Sequence, residues 1–158
     1  APSAELAERI RACGVHVPAG LPHDALLDLA FSTLVAPGFE PDALTFVHDY
    51  PASQAALARI KPTRPPVAAR FEVFAGGIEL ANGFHELTDA AEQRRRFEAE
   101  LEARRREGRA VPPLDEAFLA AVGRLPPCAG VALGVDRLVA LAASVDAVAK
   151  AVAFAHRD

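Results

Sequence analysis

Two glutamates stand among apolar residues in the stretch FEVFAGGIELANGFHEL, residues 71–87. They are Glu79 and Glu86. Two carboxylates on one face of a sheet repel each other, and burial raises their pKa values. A sheet tolerates such a pair when a positive group lies between them, and Mg²⁺ on a nucleotide phosphate or a substrate ammonium group meets that need. The alternative is that both are ordinary glutamates on the surface of a strand.

The spacing of these two carboxylates bears on the choice. They stand seven positions apart, and in an unbroken strand an odd spacing turns two side chains to opposite faces. Asn82 and Gly83 lie between them, and a glycine inside a strand is a frequent site of a β-bulge. Because one bulge resets the alternation, we expect Glu79 and Glu86 to share a face.

A second stretch with chemical potential is GVALGVDRLVAL, residues 130–141. Gly134 lets a ligand approach the backbone closely. Asp136 stands at the expected N-terminus of a helix, where its charge suits the helix dipole, whereas the cation Arg137 in the same turn costs about 0.3–1 kcal/mol. That cost is understandable if Arg137 meets an anion such as a nucleotide phosphate. The alternative is a salt bridge from Arg137 to Asp136 or to Glu72.

Two further features have a chemical and a plain interpretation. His85 could act as a general base, but a hydrogen-bonded structural histidine explains it as well. The arginines at 94–96 and 104–106 could dock RNA or an acidic protein. The glutamates interleaved with them favour a solvated helix instead.

Periodicity and turn residues predict the elements that position these side chains. Ser3 is expected to cap the first helix, and Asp89 with Glu92 matches a capping box for a long helix that Gly108 ends. Gly76 and Gly77 predict a hairpin turn. The predicted helices cover residues 4–13, 24–34, 53–60, 89–107, 115–122 and a segment from 136. Residues 145–154 are predicted to form a last helix or a helix followed by a strand. The predicted strands cover residues 44–48, 67–75, 78–87 and 131–135, and the last of these is expected to be buried.

Composition bounds the class of protein. A length of 158 residues predicts one domain, and 51% hydrophobic residues allow a real core. The net charge of −4 argues against nonspecific binding to nucleic acid, and no apolar run is long enough to predict a membrane span. Two cysteines and the lack of signal-peptide features predict a cytoplasmic protein. The chain has no methionine, so we expect it to be a fragment or a processed chain.

Three stretches resemble a known family. GIELANGFHELTDAAEQRRRF, residues 77–97, is similar to class II lysyl-tRNA synthetases, and residues 130–141 resemble motif 3 of class II synthetases. The match is closer to the paralogues that modify elongation factor P, the elongation factor P lysine ligases. His85, Thr88 and Ala132 favour these paralogues, as does HDYPASQAALA, residues 48–58.

The resemblance implies a fold and a set of roles. The implied fold is α+β, an antiparallel sheet flanked by helices, forming part of a class II catalytic domain with residues 1–43 as a helical insert and 44–158 as the core. The expected cofactors are ATP and Mg²⁺. The residues implied at ATP are Glu79, Leu80, Gly134 and Arg137, and Arg137 has the catalytic role of contacting the terminal phosphates. The residues implied at the lysine substrate are Glu86, Asn82 and Ala132. The residues implied at Mg²⁺ are Glu79 and Glu86.

The resemblance also implies an activity, with a departure. The family activates lysine or β-lysine as an aminoacyl-adenylate and transfers it to a lysine side chain of elongation factor P, working as a homodimer, with tRNA an unlikely partner. Motif 1 and the motif 2 arginine are not in this sequence and precede residue 1 in the family, so the chain alone is expected to be inactive. Two alternatives stay open: a lysyl-tRNA synthetase that charges tRNA, and a non-catalytic class II-like module for dimerisation or protein binding.

Overall fold

The computed structural model describes residues 2–154 and has an α+β fold built on an antiparallel sheet. Within these residues, no helix combines the length and the hydrophobicity that crossing a membrane requires. The helices are α1 Ser3–Ala12, α2 His23–Ala30, α3 Ala90–Arg106, α4 Glu116–Val122 and α5 Val135–Ala142, and the strands are β1 Leu44–Pro51, β2 Ile60–Lys61, β3 Val67–Ala75, β4 Ile78–His85 and β5 Ala129–Leu133.

The sheet has the strand order β1-β3-β4-β5, and β2 pairs with β3 antiparallel, with Ile60 opposite Ala68. The turn between β3 and β4 confirms the predicted hairpin. Gly76 and Gly77 have φ angles of 51° and 82°, as a two-residue type I′ turn requires. These angles strain any residue with a Cβ atom, so the glycine pair determines where the two strands reverse.

The backbone groups into two compact units that interleave along the chain. The first takes the residues up to Val47, Glu72–Asn82 and the residues from Ala132 on. The second takes His48–Phe71 and Gly83–Val131. The sequence-based assignment of a single domain stays a prediction.

In the first unit, an apolar cluster forms where α1 meets α2. Leu26 of α2 and Ile10 of α1 are its most buried members. The predicted cap is wrong, because Pro2 occupies the N-cap position and the Ser3 hydroxyl lies 3.2 Å from Nδ1 of His23. The side chain therefore links the two helices and does not satisfy the first turn of α1. Beyond α2 the chain continues as a π-helix, Phe31–Val35.

In the second unit, Asp89 caps α3 as the sequence predicted, but the other half of the predicted capping box, a bond from the Asp89 N–H to the Glu92 carboxylate, is not formed within residues 2–154. The Asp89 carboxylate accepts hydrogen bonds from the backbone N–H groups of Ala91 and Glu92, at 2.9 and 3.0 Å. The Glu92 carboxylate is engaged by Arg95 and Arg96. Further ion pairs between residues three or four apart follow along the helix, so its charges form the solvated face that the interleaved glutamates predicted.

The predicted helix at residues 53–60 is wrong. A short 3₁₀ helix covers Ala52–Gln54, and the chain then extends into β2. Ala58 forms an isolated antiparallel bridge with Glu86, and the N–H of Arg59 donates to the carbonyl of His85 at 2.9 Å. These pairings with a distant part of the chain outweigh the local helical pattern.

Two predictions near the C-terminus also need correction. The strand predicted at 131–135 runs over Ala129–Leu133 and is not buried, with Val131 62% exposed. It lies at the end of the strand order, and no described residue covers its side chains fully. The last helix predicted at 145–154 is reduced to a 3₁₀ turn, Val148–Lys150, and Phe154 is 97% exposed. Without a packed apolar face, a helix of this length gains little stability.

Candidate functional site

Four residues predicted at ATP come together in the first unit. The N–H of Gly134 donates to the carbonyl of Leu80 at 2.8 Å, which joins the start of α5 to β4. From the first turn of α5, Arg137 Nη1 donates to the carbonyl of Glu79 at 2.8 Å and lies 3.4 Å from its carboxylate Oε2. The partner of Arg137 is thus Glu79, and neither of the two salt bridges considered as alternatives is the one formed.

Arg137 keeps donors available after these bonds. Its Nε and Nη2 groups make no hydrogen bond with any residue among 2–154. Its side chain is 48% exposed and that of Glu79 is 38% exposed, and an ion pair at such exposure contributes little to stability. The guanidinium is therefore held in place by one nitrogen while its remaining N–H groups are accessible to an anion.

Gly134 precedes α5 as its N-cap, with φ −75°. A Cβ atom at this position would lie 3.4 Å from Cδ of Arg137 and 3.6 Å from the carbonyl of Leu80, which are ordinary contact distances. Neither the backbone angle nor the packing of the chain requires glycine here. The absence of a side chain leaves space beside Arg137, and this space suits a ligand that approaches the backbone closely.

Glu86 lies in the second unit, next to Gly130. Its backbone N–H donates to the carbonyl of Cys128 at 3.0 Å. A Cβ atom at Gly130 would lie 2.6 Å from Oε1 of Glu86, closer than real Cβ contacts come. The glycine therefore makes room for the carboxylate in its present position.

Contacts in the second unit support the predicted bulge. A two-residue turn with Ala75 opposite Ile78 would pair Phe71 with Asn82 and turn Gly83 to the other face. Instead, a Cβ atom at Gly83 would lie 2.4 Å from Cε1 and Cζ of Phe71. The alternation is therefore shifted by one residue near Asn82 and Gly83. That Glu79 and Glu86 share a face stays a prediction, because they belong to different units.

The remaining predicted residues have plainer surroundings. Asn82 on β4 is half-buried and Ala132 on β5 is exposed, and their contacts with substrate stay predictions. Nε2 of the His85 ring lies 3.2 Å from Nη1 of Arg59. Because a guanidinium only donates, Nε2 is the acceptor in this bond. This favours the structural histidine over the general base.

Glu72 is a carboxylate that the sequence analysis considered only as an alternative partner of Arg137. It is 9% exposed on β3, in the first unit. From the two-residue turn, Phe74 opposes Glu79 and Glu72 opposes Ala81, so Glu72 and Glu79 lie on one face. The same alternation, counted back from Gly76, could have found it in the sequence.

The donor chemistry of this region suits a magnesium ion that is shared with a nucleotide. Mg²⁺ commonly takes one or two carboxylates and completes its shell with phosphate oxygens and water. Glu79 offers an accessible carboxylate beside the phosphate-binding candidate Arg137. Among residues 2–154 there is no group of three or more histidine, cysteine or acidic side chains able to hold a metal alone.

Comparison with known proteins supplies the family. Curated relatives named elongation factor P–(R)-beta-lysine ligase occur in Klebsiella pneumoniae, at 51% identity, and in Vibrio cholerae serotype O1, at 52% identity. Each match extends over 132 residues and covers 83% of this chain. The chain spans 41% of the length of these relatives. The resemblance inferred from residues 77–97 and 130–141 is thereby confirmed.

A family described as tRNA synthetases class II (D, K and N) matches residues 33–158. The match includes both stretches that carry the candidate site, as well as the α+β core around them. This chain therefore belongs to the family of class II tRNA synthetases (D, K and N).

Proposed function

We propose that the protein containing this chain activates lysine or β-lysine with ATP as an aminoacyl-adenylate. It then transfers the acyl group to a lysine side chain of elongation factor P. The observation that carries this proposal is the convergence of Glu79, Leu80, Gly134 and Arg137 on one place in the first unit. The names of the relatives support the choice of elongation factor P and β-lysine.

The chain's residues have defined tasks in the activation step. The carboxylate of the amino acid attacks the α-phosphorus of ATP in line, the bond from the α-phosphorus to the α,β-bridging oxygen breaks, and pyrophosphate leaves. No covalent enzyme nucleophile is needed. Arg137 uses its Nε and Nη2 donors to hold the terminal phosphates, and Gly134 lets them approach. Glu79 and Glu86 would hold Mg²⁺ together with the nucleotide, and the metal would neutralise phosphate charge. Catalysis is then mainly positioning and charge stabilisation.

Glu86, Asn82 and Ala132 form the proposed recognition set for the amino acid. The Glu86 carboxylate, seated against Gly130, binds the substrate ammonium group by a charge-assisted hydrogen bond. Lysyl-tRNA synthetases usually carry glycine at the place of Ala132. The extra methyl group changes the pocket shape, which suits β-lysine.

The test is lysine-dependent exchange between ATP and pyrophosphate in the full-length protein, because this chain spans only part of its relatives. We expect Arg137→Ala to lower kcat/KM for exchange by about 10²–10³-fold, since it removes a donor to developing phosphate charge. The matched control is Arg105→Ala on α3, an exposed arginine paired with Glu102, which should leave exchange unchanged. Wild-type protein without exchange activity, or equal loss in both variants, would remove the proposal. The 158-residue chain assayed alone is expected to be inactive.

The alternatives make different predictions for the acceptor. A lysyl-tRNA synthetase would charge tRNA and leave elongation factor P unmodified. A non-catalytic module would tolerate Glu86→Ala, whereas we expect this variant to lose modification of elongation factor P. Measuring both acceptors with wild type and this variant separates the three functions.

A further inference from the structure

The second unit contains a cavity of about 680 Å³ that the proposed function does not use. Residues of the segment 52–60 form one wall, and α3 forms the other. None of its lining residues is among those predicted at ATP, Mg²⁺ or lysine. The lining consists of Ala52, Ser53, Ala55, Ala56, Leu57, Ile60, Glu92, Gln93, Arg96, Phe97, Ala99 and Glu100.

Gln93 is the unusual member of this lining. It is 1% exposed and is one of the two largest fully buried side chains among residues 2–154. Its Nε2 makes no hydrogen bond with any described residue. A buried amide donor without an acceptor is destabilising, and in native structures most such groups have a partner. A residue of the cavity wall therefore carries an unused hydrogen-bond donor, which lies beneath the surface of the cavity.

The walls of the cavity are tied together. Arg96 reaches from α3 to the opposite segment, where Nη1 donates to the carbonyls of Ala56 and Ala58 at 2.9 and 2.8 Å. The same guanidinium donates through Nε to Glu92 at 3.0 Å. These bonds hold the two walls at a set separation, so the cavity does not depend on an occupant to form. A volume of this size lies within the range of small-molecule sites.

The charges at the cavity are compensated. Glu92 is paired with Arg95 and Arg96, and Glu100 with Arg104. Each of these charged groups already has a partner of opposite charge, so a charged ligand would have to compete with an existing ion pair. The apolar lining comes mainly from Leu57, Ile60 and Phe97.

We propose that this cavity binds a neutral ligand whose carbonyl oxygen accepts a hydrogen bond from Nε2 of Gln93, once the side-chain amide turns toward the cavity. Its apolar group lies against Leu57 and Phe97. A peptide unit with an aliphatic side chain has this chemistry, because its carbonyl accepts one hydrogen bond and its side chain replaces water on the apolar wall.

The test uses N-acetyl-L-leucine methylamide as the probe and the side-chain amide signals of glutamine in ¹⁵N-labelled full-length protein. We expect a saturable shift of the Gln93 signals. Gln93→Leu, which removes the donor and keeps the volume, should weaken binding at least about tenfold, followed through the backbone signals of Phe97. Ala99→Phe, an exposed lining position, should block binding while leaving Gln93 in place. Glu98→Gln, on the solvent side of α3, should bind as wild type does.

Two results with wild type and Gln93→Leu would each overturn the proposal. One is the absence of a saturable shift at Gln93 up to the solubility limit of the probe. The other is equal affinity in wild type and Gln93→Leu, which would show that the amide takes no part. If Gln93→Leu fails to fold, undiminished binding in Ala99→Phe is the overturning result. None of these readouts depends on the enzymatic activity.

Discussion

Gly83→Ala tests the bulged pairing of β3 and β4 at the point where it is tightest. A Cβ atom at Gly83 would lie 2.4 Å from two ring carbons of Phe71 and 3.0 Å from the carbonyl oxygen of Gly130. The ring would have to move about 1 Å to reach ordinary contact at 3.4 Å. On the other side, a backbone oxygen leaves little room for the added methyl group itself to move.

The expected cost follows from these distances. Overpacking a well-filled site costs about 1–3 kcal/mol. The smaller unfolded-state entropy of alanine offsets about 0.4–1 kcal/mol of that. We therefore expect the free energy of unfolding to fall by about 1–2 kcal/mol, which corresponds to a decrease in Tm of roughly 2–8 °C. Urea denaturation followed by circular dichroism measures it.

Two variants make this test specific. Gly38→Ala is the matched control, because a Cβ atom there would have no neighbour within 4 Å, and it should be neutral or slightly stabilising. Phe71→Leu removes the ring that obstructs the added methyl group. In the Phe71→Leu background, Gly83→Ala should therefore lower the free energy of unfolding by less than it does in the wild-type background. The reasoning would be refuted if Gly83→Ala and Gly38→Ala had the same free energy of unfolding. It would also be refuted if Gly83→Ala cost as much with Phe71→Leu as without it.

Three further predictions concern other places in the chain. Gly130→Ala should displace the flexible Glu86 carboxylate, raising KM for lysine in the full-length protein about tenfold with little loss of folding stability. Asp89→Asn should flatten the acid dependence of stability. Hydrogen bonds from backbone N–H groups, that of Glu92 foremost, lower the pKa of the Asp89 carboxyl below its ordinary value of 3.8. The stabilisation that this carboxylate provides is therefore present above pH 3.8 and is lost as the pH falls below that value. Arg96→Met should cost about 1–3 kcal/mol in urea denaturation, because it removes the side-chain donor to the carbonyl group of the buried Ala58 as well as to that of the exposed Ala56.

Each of these has a contradicting outcome. An unchanged KM in Gly130→Ala would mean that Glu86 does not hold the substrate amine. Parallel stability curves of wild type and Asp89→Asn at acid pH would remove the role of this carboxylate in the cap. Arg95→Met, which removes an exposed arginine of the same helix, is the control for Arg96→Met, and equal stability of the two would contradict the prediction.

Features that depend on a few neighbouring residues were predictable from the sequence. The turn at Gly76 and Gly77 follows from their backbone freedom, and the start of α3 follows from the ability of Asp89 to accept from the next turn. The likeness of residues 77–97 and 130–141 to class II synthetases likewise needed only the order of residues. These features are local, so no knowledge of distant parts of the chain is required.

The tertiary structure decided what depends on distant partners. Residues 53–60 have a helical pattern, yet pairing with Glu86 and His85 draws them into an extended form. Arg137 could have paired with two other acids, and the meeting of α5 with β4 selected Glu79. The unused amide of Gln93 and the close approach of Gly83 to Phe71 have no signature in the sequence. The physical reason is the same in each case: burial and hydrogen bonding between residues far apart outweigh local preferences of less than about 1 kcal/mol per residue.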